Sequence, residues 1–185
     1  MEGRTESLRG QLLIASPALF DPNFRRTVVL VTEHSEEGAM GVVLNRTSEV
    51  SVADAVPNLA ILAGEDACVS VGGPVQPEAV VALAELDDPS EAAAIAFENV
   101  GYLRADVDPA TLTGVVRRVR VFAGYSGWSP GQLEGELEEG AWIVEAATVS
   151  DVFPDAPVDL WSVALDRKGG QFRLLATMPP DPSVN

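Results

Sequence analysis

The stretch Gly124–Glu136 brings together side chains that are well suited to bind a polar ligand. An alternating strand, Arg118–Phe122, leads into it, a helix leaves it, and glycines occupy the turn between them. Side chains on regular elements are held more rigidly than side chains on loops. The stretch therefore predicts a binding site, although its residues do not name the ligand. The candidate side chains are two aromatic rings, one amide and two carboxylates, on Tyr125, Trp128, Gln132, Glu134 and Glu136.

The helix of this corner has recognisable start signals. Ser129 is a preferred N-cap residue, Pro130 suits the first helical position, and Gln132 completes a capping box three residues after Ser129. Within such a helix, Glu134 and Glu136 diverge by about 200°, because each residue advances the helix by about 100°. Gln132 and Glu136 are four residues apart and share one face. The spacing therefore favours Gln132 and Glu136 as the functional pair.

His34 is the one histidine of the chain, and it follows a β-branched run that predicts a strand. An imidazole titrates near neutral pH and can transfer protons, but a histidine at a strand end can equally bond to backbone. Ser126 stands where a hydrolase nucleophile would, yet Trp128 replaces the last glycine of the required Gly-x-Ser-x-Gly elbow. The sequence has no His-x-His, cysteine pair or Asp-x-Asp array for a metal. We expect no catalytic residue, no metal site and no cofactor.

The charge balance argues against nucleic acid and membrane partners. Lys and Arg total 12 against 28 Asp and Glu, and the formal net charge of −16 repels phosphate groups. Arg118 and Arg120 lie on one face of an alternating strand, with valines on the other face. This is ordinary amphipathic alternation rather than a basic patch. We expect no binding to duplex nucleic acid or to a membrane.

The length and the composition indicate one cytoplasmic domain. The 185 residues suit a single domain, predicted over residues 10–178 with flexible tails at 1–9 and 179–185. The first ten residues lack the apolar segment of a secretory signal, and no stretch approaches the roughly 20 apolar residues of a membrane span. Cys68 is the only cysteine, so no intrachain disulfide can form. We expect a monomer.

The rest of the pattern predicts strands with short helices between them. Gln11–Ala15 reads as a strand, and Thr27–Asn45 reads as an antiparallel hairpin whose first strand is buried on both faces. Pro77–Leu86 is ambiguous, because alanine and glutamate favour helix while its valines favour strand; we assign a strand. Pro109–Val116 reads as a helix, and Ser51 as the N-cap of another.

Two further positions have the chemistry to bind a charged group. Gly73 lies in Gly72-Gly73-Pro74, where backbone N–H groups after a strand can face an anion. A tight turn explains the same residues equally well. Arg26 stands at the mouth of a buried strand and could pair with a carboxylate such as Asp21.

Three blocks of the chain together resemble one family. They are Gly10–Leu30, the segment from His34 to Arg46 with Gly72–Val75, and Gly124–Glu136. In this order they are similar to the bacterial AlgH/YqgE family of uncharacterised proteins. The resemblance implies an α+β domain whose mixed, strongly curled sheet forms a pseudo-barrel, with a few short helices packed around it. Thr47 departs from the family pattern, which usually has proline there.

The resemblance implies no proven activity. Some members are labelled transcriptional regulators, but nothing in this chain looks like a helix-turn-helix. The polar positions carried over from the family motif are Asp21, Arg26, His34, Asn45, Arg46, Tyr125, Gln132, Glu134 and Glu136.

The sequence thus predicts a cytoplasmic binding or regulatory module for an unknown small molecule or protein. Its polar site would be built from the Thr27–Asn45 hairpin, the Gly73 turn and the Gly124–Glu136 corner, with His34 near this shared cleft and Gln132, Glu134 or Glu136 as its candidate neighbours. Two alternatives stay open: an enzyme that uses His34 and Glu136 to transfer protons, and a transcriptional regulator. The predicted site residues are Arg26, His34, Asn45, Gly73, Tyr125, Trp128, Gln132, Glu134 and Glu136.

Overall fold

The computed structural model describes residues 6–104 and 106–180, and this part of the chain forms ten strands, seven short α-helices and two 3-10 turns. The strands are β1 (Gln11–Ala15), β2 (Val28–Ser35), β3 (Gly38–Val43), β4 (Thr47–Ser51), β5 (Cys68–Val71), β6 (Val75–Leu86), β7 (Ala94–Phe97), β8 (Val100–Tyr102), β9 (Val116–Trp128) and β10 (Trp142–Ala146). The helices are α1 (Val52–Ala55), α2 (Ala60–Ala63), α3 (Pro109–Leu112), α4 (Gln132–Glu138), α5 (Val149–Val152), α6 (Leu160–Lys168) and α7 (Phe172–Ala176).

The sheet follows the order β10-β1-β2-β3-β9-β6-β8-β7, with β5 joined to β9 and β4 joined to β5. All pairs are antiparallel except β5 with β9, so the domain is α+β with a mixed sheet, as predicted. Between the two ends of this path, β10 and β7, the described residues show no backbone pairing. Hydrogen bonds therefore do not close the sheet into a barrel.

The central strands β1 and β2 carry apolar side chains on both faces, which explains their unbroken hydrophobic runs. Leu12 and Ile14 face a cluster that includes Trp161 of α6. Leu13 and Ala15 face the opposite way, into a cluster with Trp128, Leu133 and Trp142. Because each fully buried leucine or isoleucine contributes about 1.5–3 kcal/mol, this two-sided burial stabilises the sheet.

Most elements lie where the sequence predicted them. Gln11–Ala15 is a strand with the predicted bounds, and β2 pairs with β3 as a hairpin in the register Leu30 to Val42. The ambiguous stretch is strand β6, and Ser51 caps α1 by accepting a hydrogen bond from the Asp54 N–H at 3.1 Å.

Other elements differ from the prediction. The helix predicted to run from Pro109 to Val116 ends at Leu112. The strands β4 and β7 and the helix α7 were not predicted, because they are short and partly exposed, so they lack a clear hydrophobic period.

Strand β9 connects most of the sheet and differs most from expectation. The sequence predicted that the strand would end at a glycine turn near Gly124, but it continues to Trp128. Gly124 has a φ of 70°, and a Cβ there would lie 2.6 Å from the Gly73 carbonyl oxygen. The glycine therefore allows two backbones to approach closely within the sheet, and the turn comes later, at Ser129–Gly131.

The predicted tails at 1–9 and 179–185 lie partly outside the described residues. Within the described part, the Leu8 N–H donates to His34 Nδ1 at 2.9 Å. The Arg25 and Arg26 guanidinium groups donate to the carbonyls of Pro180 and Met178. In residues 6–104 and 106–180, no helix is long and apolar enough to cross a membrane.

Candidate functional site

The corner between β9 and α4 begins with a left-handed glycine. Gly131, with a φ of 77°, is the N-cap of α4, and not Ser129 as the sequence predicted. The Ser129 carbonyl instead accepts from the Gln132 N–H at 3.0 Å, which forms a tight turn. Half of the predicted capping box is present, because Gln132 Oε1 accepts from the Ser129 N–H at 3.0 Å.

Glu136 holds the corner together through its carboxylate. Oε2 accepts from the Trp128 indole at 2.9 Å and from the Trp142 indole at 2.8 Å. Oε1 accepts from the amide of Gln132 at 3.0 Å, so these two residues share a face as predicted. With Phe24, the two indole rings form a cluster whose ring centroids are 5.6–6.3 Å apart. The carboxylate therefore satisfies two indole N–H groups that the folded chain buries.

His34 is fixed on both sides of its ring. Nδ1 accepts a hydrogen bond from the Leu8 N–H at 2.9 Å, so Nδ1 carries no proton. Nε2 therefore bears the ring proton and donates it to Glu134 Oε1 at 2.8 Å. The imidazole is only 3% exposed. Among the candidate neighbours Gln132, Glu134 and Glu136, the partner of His34 is therefore Glu134, whereas the enzyme alternative paired it with Glu136.

This arrangement favours the ionised form of the Glu134 carboxyl. A hydrogen bond from its own backbone N–H, and then the hydrogen bond from His34, lower the pKa of Glu134 below its ordinary value. A carboxylate at the first turn of a helix also lies near the positive end of the helix dipole. Glu134 is therefore held ionised against the neutral imidazole.

A groove of about 600 Å³ opens beside this pair. We call it the hairpin groove, because it runs along the turn between β2 and β3. Of the predicted site residues, His34 and Trp128 line it. The full lining is Ser7, Arg9, Glu33, His34, Ser35, Glu37, Gly38, Ala39, Met40 and Trp128.

Arg26 and Asn45 form a separate group, away from the lining of the hairpin groove. Asn45 accepts from the Val28 N–H and donates to the Arg26 carbonyl, both at 2.9 Å, and it holds Arg26 in a left-handed conformation with a φ of 56°. The Arg26 guanidinium pairs with Asp159 at 3.0 Å and lies 4.1 Å from the ring centre of Trp161. The pairing suggested for Arg26 with Asp21 was wrong, because the fold brings α6 to this position.

Gly73 and Tyr125 meet inside the sheet. A Cβ on Gly73 would lie 2.3 Å from the Tyr125 carbonyl oxygen, so the glycine permits a close approach of two backbones. Next to them, the hydroxyl of Ser126 is fully buried and donates to the Gly72 carbonyl at 3.1 Å. A side chain buried in this way cannot reach a substrate. The nine predicted residues therefore fall into three places rather than one cleft.

Comparison with known proteins identifies the family. A family profile described as DUF179, AlgH-like, matches residues 12–173. This chain belongs to the AlgH-like family. It is 45% identical to a UPF0301 protein from Streptomyces coelicolor over the whole of both chains, and 45% identical to one from Mycobacteroides abscessus over 95% of this chain and 87% of that protein.

Two solved structures share the fold of this chain. Protein DIP2367 from Corynebacterium diphtheriae superposes with a TM-score of 0.87 at 31% identity, covering 96% of this chain and 95% of that one. The AlgH protein from Pseudomonas aeruginosa superposes with a TM-score of 0.72 at 30% identity, covering 97% and 98%. The family resemblance drawn from the three sequence blocks is confirmed.

The AlgH-like chain also has a second groove that the sequence did not predict. It measures about 780 Å³ and is lined in part by Arg118 and Arg120 of β9. The alternation of these arginines predicts an ordinary amphipathic strand, but both are half-buried. Arg118 bonds to Glu85 and to the Phe153 carbonyl, and Arg120 bonds to the carbonyls of Leu44 and Val152. No local sequence signal reveals these contacts, because the partners are distant in the chain.

Proposed function

We propose that this AlgH-like chain is a cytoplasmic binding or regulatory module without catalysis of its own, and that its ligand docks in the hairpin groove. The observation that carries the proposal is a group of free charges. Within the described residues, the side chains of Arg9, Glu33 and Glu37 line the groove and make no hydrogen bond or ion pair. Charged groups of both signs that converge without partners are available for a ligand.

The rigidity of the corner supports the same proposal. Glu136, Gln132 and Trp128 are bonded to one another and hold one wall of the groove in place. His34 supports the neighbouring wall through Glu134. In this proposal these predicted residues shape the groove, and the ligand is recognised by the unpaired charges at its rim.

The enzyme alternative receives less support. It paired His34 with Glu136, but these side chains hydrogen-bond to different partners. Both nitrogens of His34 are occupied, and a general base needs a free lone pair facing the substrate. The proposal therefore includes no catalytic residue, cofactor or metal.

The proposed ligand follows from the lining. One cation and two carboxylates suit a small zwitterion, or a segment of a partner protein that carries both charges. The proposed module acts as a monomer and binds neither duplex nucleic acid nor membrane. A pseudo-barrel is part of the proposal, supported by the hydrogen bond from Tyr102 of β8 to Thr32 of β2 at 2.6 Å.

The test is an NMR titration of the ¹⁵N-labelled full chain with free amino acids and short charged peptides. We expect saturable shifts in the amides of Ser35, Ala39 and Met40. The variant Glu37→Lys should weaken the binding about tenfold, because it reverses a charge at the groove. Glu36→Lys is the matched control, since Glu36 is exposed in the same turn but does not line the groove. Shifts confined to other surfaces, or equal effects of both variants, would contradict the proposal.

A further inference from the structure

Arg120 is a largely buried cation to which the described part of the chain offers no carboxylate partner. Within the described residues, no carboxylate oxygen lies within 4.0 Å of its nitrogens, whereas Arg118, two residues earlier, pairs with Glu85 at 2.7 Å. Burial lowers the pKa of Arg120 to about 10, so the group still carries its charge at neutral pH. A charge that is removed from water without a counter-charge is costly. The fold keeps such a charge at this position.

The neutral contacts of Arg120 explain where it lies but do not balance its charge. Nη1 donates to the Val152 carbonyl at 2.9 Å, and Nη2 donates to the Leu44 carbonyl at 2.8 Å and to Ser70 Oγ at 2.7 Å. The guanidinium lies 4.8 Å from the ring centre of Phe122. Oxygen dipoles and an aromatic face hold the group in one orientation, and all of them are uncharged.

Part of the guanidinium remains available. An arginine has five N–H donors, and the three contacts above use three of them. Two donors remain without an acceptor among the described residues, Nε–H and one N–H of Nη1, and these residues contain no fully buried side-chain nitrogen without a partner, so Nε is not completely enclosed. Arg120 lines the groove of about 780 Å³, which we call the arginine groove. The residue that carries these free donors therefore forms part of the wall of this groove.

The acidic residues of the arginine groove are largely engaged elsewhere. Asp151 accepts two hydrogen bonds from Arg167, at 2.8 and 2.9 Å, and Asp155 pairs with Arg118 at 3.3 Å. Asp66 is the remaining acid of the lining. The net charge of −16 acts mainly over longer distances, which salt screens beyond about 8 Å under physiological conditions. Within the described residues, the positive charge of Arg120 is therefore not balanced by a carboxylate, and it is available to an anionic ligand.

The groove also offers apolar surface. Ile61 is 75% exposed and Val158 is 51% exposed, and both line it. A cation within a partly apolar cavity of this size suits a small molecule with one charged end and one apolar end.

We infer that the arginine groove binds a small organic anion, whose carboxylate or phosphate lies against Arg120 and whose apolar part lies against Ile61 and Val158. This site goes beyond the proposed function, since the arginine groove and the hairpin groove share no lining residue. The anion completes the charge balance that the chain leaves open.

The test uses the ¹⁵N-labelled full chain and follows the Nε–H resonance of Arg120. The probes are inorganic phosphate, hexyl phosphate and hexanoate, with hexanol as the neutral control. We expect saturable shifts of this resonance with hexyl phosphate or hexanoate, and none with hexanol. The two anions distinguish a phosphate site from a carboxylate site, and inorganic phosphate shows how much the apolar part contributes.

Point variants distinguish an anion-binding role of Arg120 from a purely structural one. Arg120→Lys should weaken binding about tenfold, because it removes the planar set of donors. Its matched control is Arg46→Lys, since Arg46 likewise donates to backbone carbonyls, of Pro22, Asn23 and Arg25, outside this groove. Should Arg120→Lys fail to fold, Ile61→Glu tests the anion site in its place, because this exposed position tolerates the change. It should weaken anion binding about fivefold, whereas Leu174→Glu, at a leucine 76% exposed on α7, should not.

Other outcomes would overturn the inference. One is the absence of a saturable shift of the Arg120 Nε–H with any anion up to about 10 mM, the weak end of specific affinity. Another is an equal, non-saturating shift at all arginines, which indicates general electrostatic attraction. Equal weakening by Ile61→Glu and Leu174→Glu would have the same meaning.

Discussion

Glu134 accepts the Nε2 proton of His34 at 2.8 Å, although the two residues are 100 positions apart in sequence. The contact joins the end of β2 to the first turn of α4. Through the other ring nitrogen, it also fixes the chain before β1, where the Leu8 N–H donates to Nδ1. One buried imidazole therefore links three segments that no local pattern connects.

We expect His34→Ala to lower the free energy of unfolding by about 1–3 kcal/mol, because it leaves the Leu8 N–H without its acceptor. Glu134→Gln should cost less, about 0.5–1 kcal/mol, since the amide oxygen can still accept from Nε2. Urea titration measures both. Glu138→Gln, at an exposed glutamate of the same helix, should leave the urea midpoint unchanged. A His34→Ala midpoint equal to that of wild type would contradict the linking role of the ring.

The stability difference between wild type and Glu134→Gln should depend on pH. The pKa of Glu134 is lowered in the folded state from the ordinary value of 4.5. A lowered carboxyl pKa stabilises the fold above the ordinary value, and this stabilisation is lost as the pH falls through the folded-state pKa. The two urea midpoints should therefore differ most at neutral pH and converge in acid below pH 4.5. A difference that grows on acidification would refute the assignment.

Trp128→Ala should destabilise the fold by about 3–5 kcal/mol. The ring is only 6% exposed and packs against Phe24 and Trp142. The variant also removes an indole N–H from Glu136. Urea unfolding followed by near-ultraviolet circular dichroism measures the change. An unaltered midpoint would mean that the ring is free in solution to stack on a ligand.

Gly73→Ala and Gly135→Ala should have opposite effects. A Cβ on Gly73 would lie 2.3 Å from backbone atoms of Tyr125, which cannot move aside like a side chain, so we expect a loss of about 1–3 kcal/mol. Gly135 lies inside α4, and a Cβ there meets no atom within 4 Å. Alanine should stabilise that helix by about 0.5–1 kcal/mol. Thermal melts of the two variants, run side by side, compare the signs directly.

We expect no appreciable binding to duplex DNA near physiological salt. The net charge of −16 opposes it. The longest α-helix of the described residues, α6, has nine residues, and its N-cap is the acid Asp159. A gel-shift titration measures this, with a known DNA-binding protein as the positive control. Tight, salt-sensitive retention of the duplex would overturn the expectation and favour the regulator alternative.

The sequence by itself determined the features that depend on neighbouring residues. The bounds of β1, the hairpin of β2 and β3, and the cap at Ser51 follow from local hydrophobic period and capping chemistry. The contact of Gln132 with Glu136 follows from the four-residue repeat of the helix. The family blocks, taken together, also gave the α+β class.

Only the tertiary structure decided which distant groups meet. The sequence contains several candidate acids for His34, Arg26 and Arg118, and no local rule selects Glu134, Asp159 or Glu85 among them. Likewise, Gly124 of β9 looks like a turn residue in the sequence. Only the fold shows that a Cβ at this position would lie 2.6 Å from the Gly73 carbonyl oxygen, so that a glycine is needed within the strand. Partner choice depends on strand order and helix placement, which are set by burial of the whole chain. For the same reason, the absence of a carboxylate partner for Arg120 within residues 6–104 and 106–180 becomes visible only once the acids of these residues have positions.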